Sequence, residues 1–216
     1  MSESGAGAMD RLNSLLLNAG QEELNEDAQR SYWLYLALLL KWNAKVNLTA
    51  IRDEDGILQR HFVESIACAR LLPAGIKTLL DFGSGAGFPG LAIAICRPEI
   101  AVTLAESQGK KAAFLSEAVR VLGVGGRVMV HGARAELLKL QFDCVTLRAV
   151  DRMDAAVRAG GNLVRPSGWL APMTTVGEVD GIREIAELGF VWSDSIPLPG
   201  GVSRVLVIGQ RSVPAG

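Results

Sequence analysis

The stretch Asp81-Phe-Gly-Ser-Gly-Ala-Gly-Phe-Pro-Gly90 decides how the chain is read. It follows a short apolar run, Thr78-Leu-Leu-Asp-Phe, and opens a segment of helical length. A glycine-rich turn between a strand and a helix is the setting in which backbone approaches a cofactor closely. Gly83, Gly85 and Gly87 permit positive φ, and Pro89 suits a helix start, where its missing N–H goes unused. An ordinary tight turn needs one glycine, not three in five residues. Further apolar runs follow at Ala101-Val-Thr-Leu-Ala, Arg127-Val-Met-Val and Phe142-Asp-Cys-Val-Thr-Leu. The clearest helical segment between them is Lys110 to Leu122, stopped by Gly123. Strands alternating with helices predict right-handed βαβ units and a parallel sheet covered on both faces.

Working outward, the spacing predicts helices from Asp10, over about 27–45 and over about 56–71, before the first strand. Beyond Arg148 it predicts a helix at 151–164, a strand at 168–173, a helix at 179–188 and two last strands at 190–195 and 202–209. A turn at Pro197, Pro199, Gly200 and Gly201 pairs those two antiparallel. Residues 1–9, small and polar, read as a disordered, frayed terminus. Residues 10–72 read as an N-terminal helical extension packed on the core, and 73–216 as the cofactor-binding core.

Composition narrows the function classes. Of the 216 residues, 49% are hydrophobic and 21% charged, which excludes wholesale disorder. Lys and Arg total 22 against 23 Asp and Glu, so bulk charge does not draw the protein to nucleic acid, though a local basic face can. Three widely spaced cysteines and two histidines offer neither a disulfide framework nor a metal centre, and no metal is expected. The start lacks a signal-peptide pattern, and no apolar run approaches the ~20 residues that span a bilayer. A cytoplasmic chain without membrane contact is the expectation.

The turn's ligand is argued from charge. The dinucleotide fingerprint needs a third glycine where Phe88 stands. Asp81 is a carboxylate at the strand end, which repels a pyrophosphate and suits a cationic sulfonium. S-adenosylmethionine is therefore favoured over a nicotinamide dinucleotide. Glu106, closing the second strand beside Ser107, can accept ribose hydroxyls in either cofactor class. Arg148 closes the fourth strand at the carboxyl edge, where ligands of open α/β sheets bind; its alternative is an ion pair with Asp81 or Asp151. Lys41, Lys45, Arg52, Arg60 and His61 form a basic group that can meet phosphates or simply be solvated.

The acidic strand end, the Gly-x-Gly-x-Gly turn and the acid closing the next strand resemble the class I S-adenosylmethionine-dependent methyltransferases. The wider string is more specific: Lys41-Trp-Asn43, Asn47-Leu-Thr49, Arg60-His61, Glu64-Ser65, Gly83-Ser-Gly-Ala-Gly-Phe-Pro-Gly90, Glu106-Ser107, Lys110-Lys111, Phe114-Leu115, Arg134-Ala-Glu136, Phe142-Asp143 and Arg148-Ala149. It resembles the bacterial ribosomal small-subunit methyltransferase G family, also called glucose-inhibited division protein B, over about residues 10–210. The resemblance implies an α/β, Rossmann-like core with a mostly parallel seven-stranded sheet. It implies methyl transfer from S-adenosylmethionine to N7 of one guanosine in 16S rRNA, free or in the 30S subunit, by a chain in which nothing requires a dimer. It assigns the cofactor to Asp81, Gly83, Ser84, Gly85, Gly87, Phe88, Glu106, Ser107 and Arg148, with Arg134, Ala135 and Glu136 at the adenine. Where the family carries a lysine after the fifth strand, this chain has Thr174, and Arg165 is the substitute candidate for an RNA contact. N7 attacks with a free lone pair and loses no proton, so no general base is expected. Methylation of a small molecule or protein, and a binding module without turnover, remain the alternatives.

Overall fold

Alternation along the central strands sets the architecture. Leu79 and Cys144 face one hydrophobic cluster, while Leu80 and Val145, the next residues along each strand, face another. Successive side chains of a strand point to opposite faces, so a sheet with both faces apolar must be covered twice. Each fully buried leucine or phenylalanine contributes about 1.5–3 kcal/mol toward that arrangement.

The computed structural model describes residues 3–185, 189–201 and 203–213. Before the sheet come helices α1 (Glu3–Asn18), α2 (Glu26–Asn43), α3 (Glu54–Ile57) and α4 (Glu64–Leu71), the last two joined without a break by a π-helical stretch, Leu58–Val63. Then follow β1 (Thr78–Phe82), α5 (Gly90–Cys96), β2 (Ala101–Ala105), α6 (Gly109–Val121), β3 (Val128–His131), β4 (Phe142–Arg148), α7 (Met153–Asn162), β5 (Val164–Thr175) and α8 (Val179–Glu184). The chain closes with β6 (Phe190–Trp192), β7 (Ile196–Pro197), β8 (Arg204–Leu206) and β9 (Gly209–Arg211).

The sheet runs β3-β2-β1-β4-β5-β8-β7, with β9 beside β5 and β6 beside β9. β6 with β7, and β8 with β9, are two interrupted strands, so the sheet has seven strand positions. β1 to β5 are parallel, and β8 and β9 run antiparallel to β5. This is the mixed, mostly parallel sheet of a class I methyltransferase. The predicted antiparallel closing pair is present. Among the described residues no helix is long and apolar enough to cross a membrane.

Three expectations are corrected. Most of the segment read as a frayed terminus lies in α1, where Gly5, Ala8 and Met9 are buried; residues 1 and 2 lie outside the described residues. A Cβ on Gly5 would meet the Trp33 ring at 2.8 Å, so the small residues mark a close helix–helix approach rather than a tail. α7 begins at Met153, not 151, because Ala149 and Arg152 have positive φ and hold the preceding loop out of the helix. β5 begins at Val164, four residues early, since Val164 pairs with Phe142 across an irregularity in register. Residues 186–188 of the expected 179–188 helix, and Val202 of the last strand, lie outside the described residues.

α2 starts as its sequence directs. The Asn25 side chain accepts from Ala28 N at 2.9 Å, and Glu26 and Asp27 fill the first turn. At the other end Asn43, 5% exposed, folds the next loop around its amide. Its Oδ1 accepts from the N–H groups of Leu48 and Thr49, and its Nδ2 donates to Ile51 O. The Trp-Asn and Asn-Leu-Thr pieces are thus one structural unit, and it places Thr49 over the carboxyl edge of the sheet.

Candidate active site

The glycine turn is bound to the neighbouring strand before any ligand is considered. Gly83, Gly85 and Gly87 have φ of 72°, 55° and 94°. The N–H groups of Gly83 and Ser84 both donate to Ala105 O, at 3.0 Å each. Glu106 then clamps the turn: Oε2 accepts from Gly85 N at 2.9 Å and Oε1 from Gln108 N at 2.7 Å. Gly83, Ser84, Gly85, Phe88, Glu106, Ser107 and Arg148 line one cavity of about 390 Å³, shared with Thr49, His61, Lys111 and Asp151. That volume is within the ~300–1,000 Å³ of small-molecule sites.

Asp81 does not line this cavity, and the argument that its charge selects the cofactor is corrected. The residue is 1% exposed. Oδ2 accepts from Gly90 N at 3.1 Å and Oδ1 from the Thr146 hydroxyl at 3.0 Å. Burial pushes its pKa up to about 6, while hydrogen bonds from Thr146 and Gly90 pull the other way. Asp81 therefore anchors the start of α5 to the sheet. The carboxylates that do line the cavity are Glu106 and Asp151, and of these Glu106 binds the glycine turn. Gly87 has a similar packing role, since a Cβ there would meet Leu91 at 2.6 Å and the Tyr35 hydroxyl at 2.7 Å.

The opposite wall is a buried polar chain. Arg148 pairs with neither Asp81 nor Asp151. Its Nη2 donates to Glu64 Oε2 at 2.8 Å and to Arg60 O at 2.6 Å, and its Nη1 lies 3.0 Å from His61 Nδ1. A guanidinium has only donors, so His61 Nδ1 accepts and the neutral ring carries its proton on Nε2. Nε2 in turn lies 2.7 Å from Thr49 Oγ1. His61 is thus a cavity wall rather than a phosphate contact on the surface, and its ring stacks on Phe88 at 4.9 Å. The π-helical turn carrying Arg60 and His61 directs this side chain inward, a use typical of such turns.

Burial, then the neighbouring Arg148 and Arg60 charges, push the His61 pKa down to about 3. A histidine depressed in the folded state contributes stability that is complete above its unfolded value, about 6.5, and is lost as pH falls toward about 3. Asp81 has the opposite sign: its contribution is present below its unfolded value and lost as pH rises through about 6. Comparing wild type with His61→Gln isolates the histidine. Urea denaturation from pH 4 to 8 should show wild type losing stability relative to the variant only below about 6.5. Parallel curves would contradict the buried, neutral ring.

Other sequence candidates are dispersed. Arg134, Ala135 and Glu136 follow β3; Ala135 is buried in the second cluster, and none of the three lines the cavity. Lys41 and Lys45 flank Trp42 at a separate depression of about 280 Å³ that also includes Glu117. Arg52 is exposed and donates to Asn47 Oδ1 at 2.7 Å. Arg165 does not replace the absent lysine: it pairs with Asp143 at 2.6 Å, at the start of β5 and β4, on the sheet edge remote from the cavity. Asp143 there also accepts from the Lys77 and Thr78 N–H groups. Thr174 is 1% exposed and donates to Glu178 at 2.5 Å. Thr49, which lines the cavity, and Glu64, which holds Arg148 in its wall, are residues that spacing did not single out. Both sit in recognisable motif pieces, but only the folded chain brings them to Arg148.

The lining fits a nucleoside carrying a sulfonium. A Cβ at Gly85 would meet nothing nearer than Gly83 O at 3.9 Å, so the turn faces open space that a ligand can fill. Glu106 offers a carboxylate to hydroxyls at the end of β2, and no cluster suited to a metal occurs among the described residues.

Solved structures show the same fold at low identity. An O-methyltransferase family protein from Burkholderia thailandensis superposes with a TM-score of 0.59 at 13% identity, over 88% of this chain and 72% of that one. A protein from Agrobacterium tumefaciens described as a predicted O-methyltransferase gives 0.58 at 20% identity, over 70% and 82%. Sequence comparison is sharper. The ribosomal RNA small subunit methyltransferase G of Stenotrophomonas maltophilia is 46% identical over 160 residues, 73% of each chain. That of Roseiflexus castenholzii is 42% identical over 192 residues, covering 83% of this chain and 82% of the relative. The family model described as GidB, rRNA small subunit methyltransferase G, matches residues 28–184. The chain belongs to the ribosomal RNA small subunit methyltransferase G family of S-adenosylmethionine-dependent methyltransferases.

Proposed function

We propose that the cavity receives S-adenosylmethionine and that its methyl group passes to N7 of a guanosine in 16S rRNA presented from the open side. The observation that carries this reading is the glycine turn clamped by Glu106 over a cavity of about 390 Å³, in a chain of this family. Glu106 holds the ribose. Gly83, Ser84 and Gly85 run along the methionine end, with Ser107 at the rim. Arg134, Ala135 and Glu136, one strand further along the carboxyl edge, take the adenine. When bound, the cofactor supplies an electrophilic methyl on a positive sulfur.

The protein's own task is placement. Guanine N7 attacks with a lone pair and releases no proton, and orientation at attack distance supplies several kcal/mol, of the order of 7–11 in favourable cases. The cavity wall agrees. Both His61 nitrogens are engaged, and proton uptake at Nδ1 would break the contact with Arg148. Charge moves from sulfur to the base instead of appearing anew, so a rigid polar wall suffices. Lys41, Lys45, Arg52 and Arg60, all ahead of the first strand in the chain, meet RNA phosphates, and the affinity they add falls with salt. The RNA substrate places the reaction in the cytoplasm, away from membranes, and the chain acts as a monomer on the assembled 30S subunit or its RNA.

The test offers S-adenosylmethionine labelled in the methyl group to 30S subunits, naked 16S rRNA and a metabolite extract. Label is expected in rRNA, released by nuclease as 7-methylguanosine. Label confined to metabolites, or to another modified nucleoside, would refute the reading. Binding of cofactor with no transfer to any substrate would favour the non-catalytic module instead.

A further inference from the structure

We propose that Thr49 selects the acceptor base, its hydroxyl donating to O6 of guanine beside the N7 that is methylated. The inference rests on the guanine-N7 reading and adds the residue that reads the base.

The argument follows the direction of hydrogen bonds. Glu64, 1% exposed, accepts from Arg148, which can only donate. Arg148 stands 3.0 Å from His61 Nδ1, so that nitrogen is the acceptor and Nε2 holds the ring proton. Nε2 donates to Thr49 Oγ1 at 2.7 Å, and the Ile51 N–H donates to the same oxygen at 3.2 Å. A hydroxyl has two lone pairs and one proton. Both lone pairs of Thr49 are taken by donors. Its proton is the one group left, and Thr49 lines the cavity. The chain of bonds is polarised from a buried ion pair outward, so the hydroxyl cannot reverse. It meets the cavity as a donor.

Position supports the same conclusion. Glu106 and the glycine turn lie at the ends of β1 and β2, whereas Thr49 and His61 join Arg148 at the end of β4. A ribose on Glu106 leaves the Thr49 wall for the incoming base. Guanine presents an acceptor, O6, next to N7; adenine presents a donor, N6–H2, at that place. A hydroxyl fixed as donor pairs with the first and opposes the second. Sites built to hydrogen-bond one group reject the analogue that lacks it strongly, by up to ~10⁴–10⁵.

The experiment first locates the methylated guanosine by mass mapping, then uses 30S subunits reconstituted with 16S rRNA in which that guanosine is kept or replaced by 2,6-diaminopurine, which retains N7 and exchanges O6 for an amino group. Wild type should favour guanine by at least ~100-fold in kcat/KM. Thr49→Val should lose most of that preference by slowing on guanine, with the S-adenosylmethionine dissociation constant unchanged by calorimetry. Thr49→Ser, which restores the hydroxyl, should keep it, and Thr49→Ala gives the same reading as valine without added bulk. A wild type indifferent to the exchange, or a valine variant that still discriminates, overturns the role of Thr49 while the methyltransferase reading stands. Loss of cofactor affinity in both Thr49→Val and Thr49→Ala overturns it too, since the hydroxyl would then serve the cofactor. No transfer to any rRNA by wild type would instead bring down the guanine-N7 reading itself, and the inference with it.

Discussion

Glu64→Ala is expected to cost about 3–5 kcal/mol of folding stability, because it leaves a buried guanidinium without its counter-charge. The Arg148 side chain is 7% exposed and that of Glu64 1%. Burial pulls the Arg148 pKa below the usual guanidinium range, and Glu64 raises it back. Arg204, whose Nε is 4.0 Å from Glu64 Oε1, would also lose that carboxylate. Without Glu64, Arg148 keeps only the neutral acceptors Arg60 O and His61 Nδ1. It would then turn toward water, and the His61–Thr49 wall would lose the anchor that sets its hydrogen-bond direction. Glu64→Gln keeps the shape and one acceptor, so its loss should be smaller, about 1–3 kcal/mol. Urea denaturation measures both. An alanine variant within 1 kcal/mol of wild type would show that the pair is not the anchor described.

How much of this was legible in the sequence depends on how far apart the partners lie. β1 to β4 stand out because parallel strands buried on both faces are short apolar runs that alternate with helical segments. The turn at 83–87 was legible for a related reason: few other settings require three glycines so close. Glu64 and Arg148 are separated by 84 positions, and nothing in either local pattern joins them. Asp81 is more instructive. Its charge drew attention, but its direction was already set by alternation. Leu80 and Phe82 both face the second cluster, so Asp81 must face the other side, toward α5. There it meets Gly90, where a Cβ would collide with Leu104 at 2.4 Å and with Asp81 at 2.6 Å. Small residues also misled at α1, since glycine and alanine serve a close helix contact as readily as a loose tail. Arg165 stands ahead of the apolar run of β5, so a parallel strand puts it at the amino edge, opposite the cavity, whichever residue opens that strand.

Gly85→Val should abolish cofactor binding while leaving most of the fold, and that asymmetry distinguishes a ligand turn from a structural one. Two effects act together. φ at Gly85 is 55°, a conformation that costs a residue with a Cβ about 1–2 kcal/mol and a branched one more. The second effect is intrusion: the valine methyls would enter the space beside Glu106, whose Oε2 holds the Gly85 N–H. S-adenosylmethionine affinity is expected to fall at least ~100-fold, or about 2.7 kcal/mol, by calorimetry. Gly85→Ala carries most of the strain with one methyl of intrusion, so it should lie between the two on affinity and near valine on stability. Gly87→Val is the contrasting case. Its side chain would strike Leu91 and the Tyr35 hydroxyl, which donates to Ala86 O at 2.6 Å, so it should fail in folding first. If Gly85→Val bound cofactor as wild type does, the turn would not face the ligand, and the cavity would have to be assigned to another molecule. If it unfolded as readily as Gly87→Val, the glycine at 85 would be there for the chain alone.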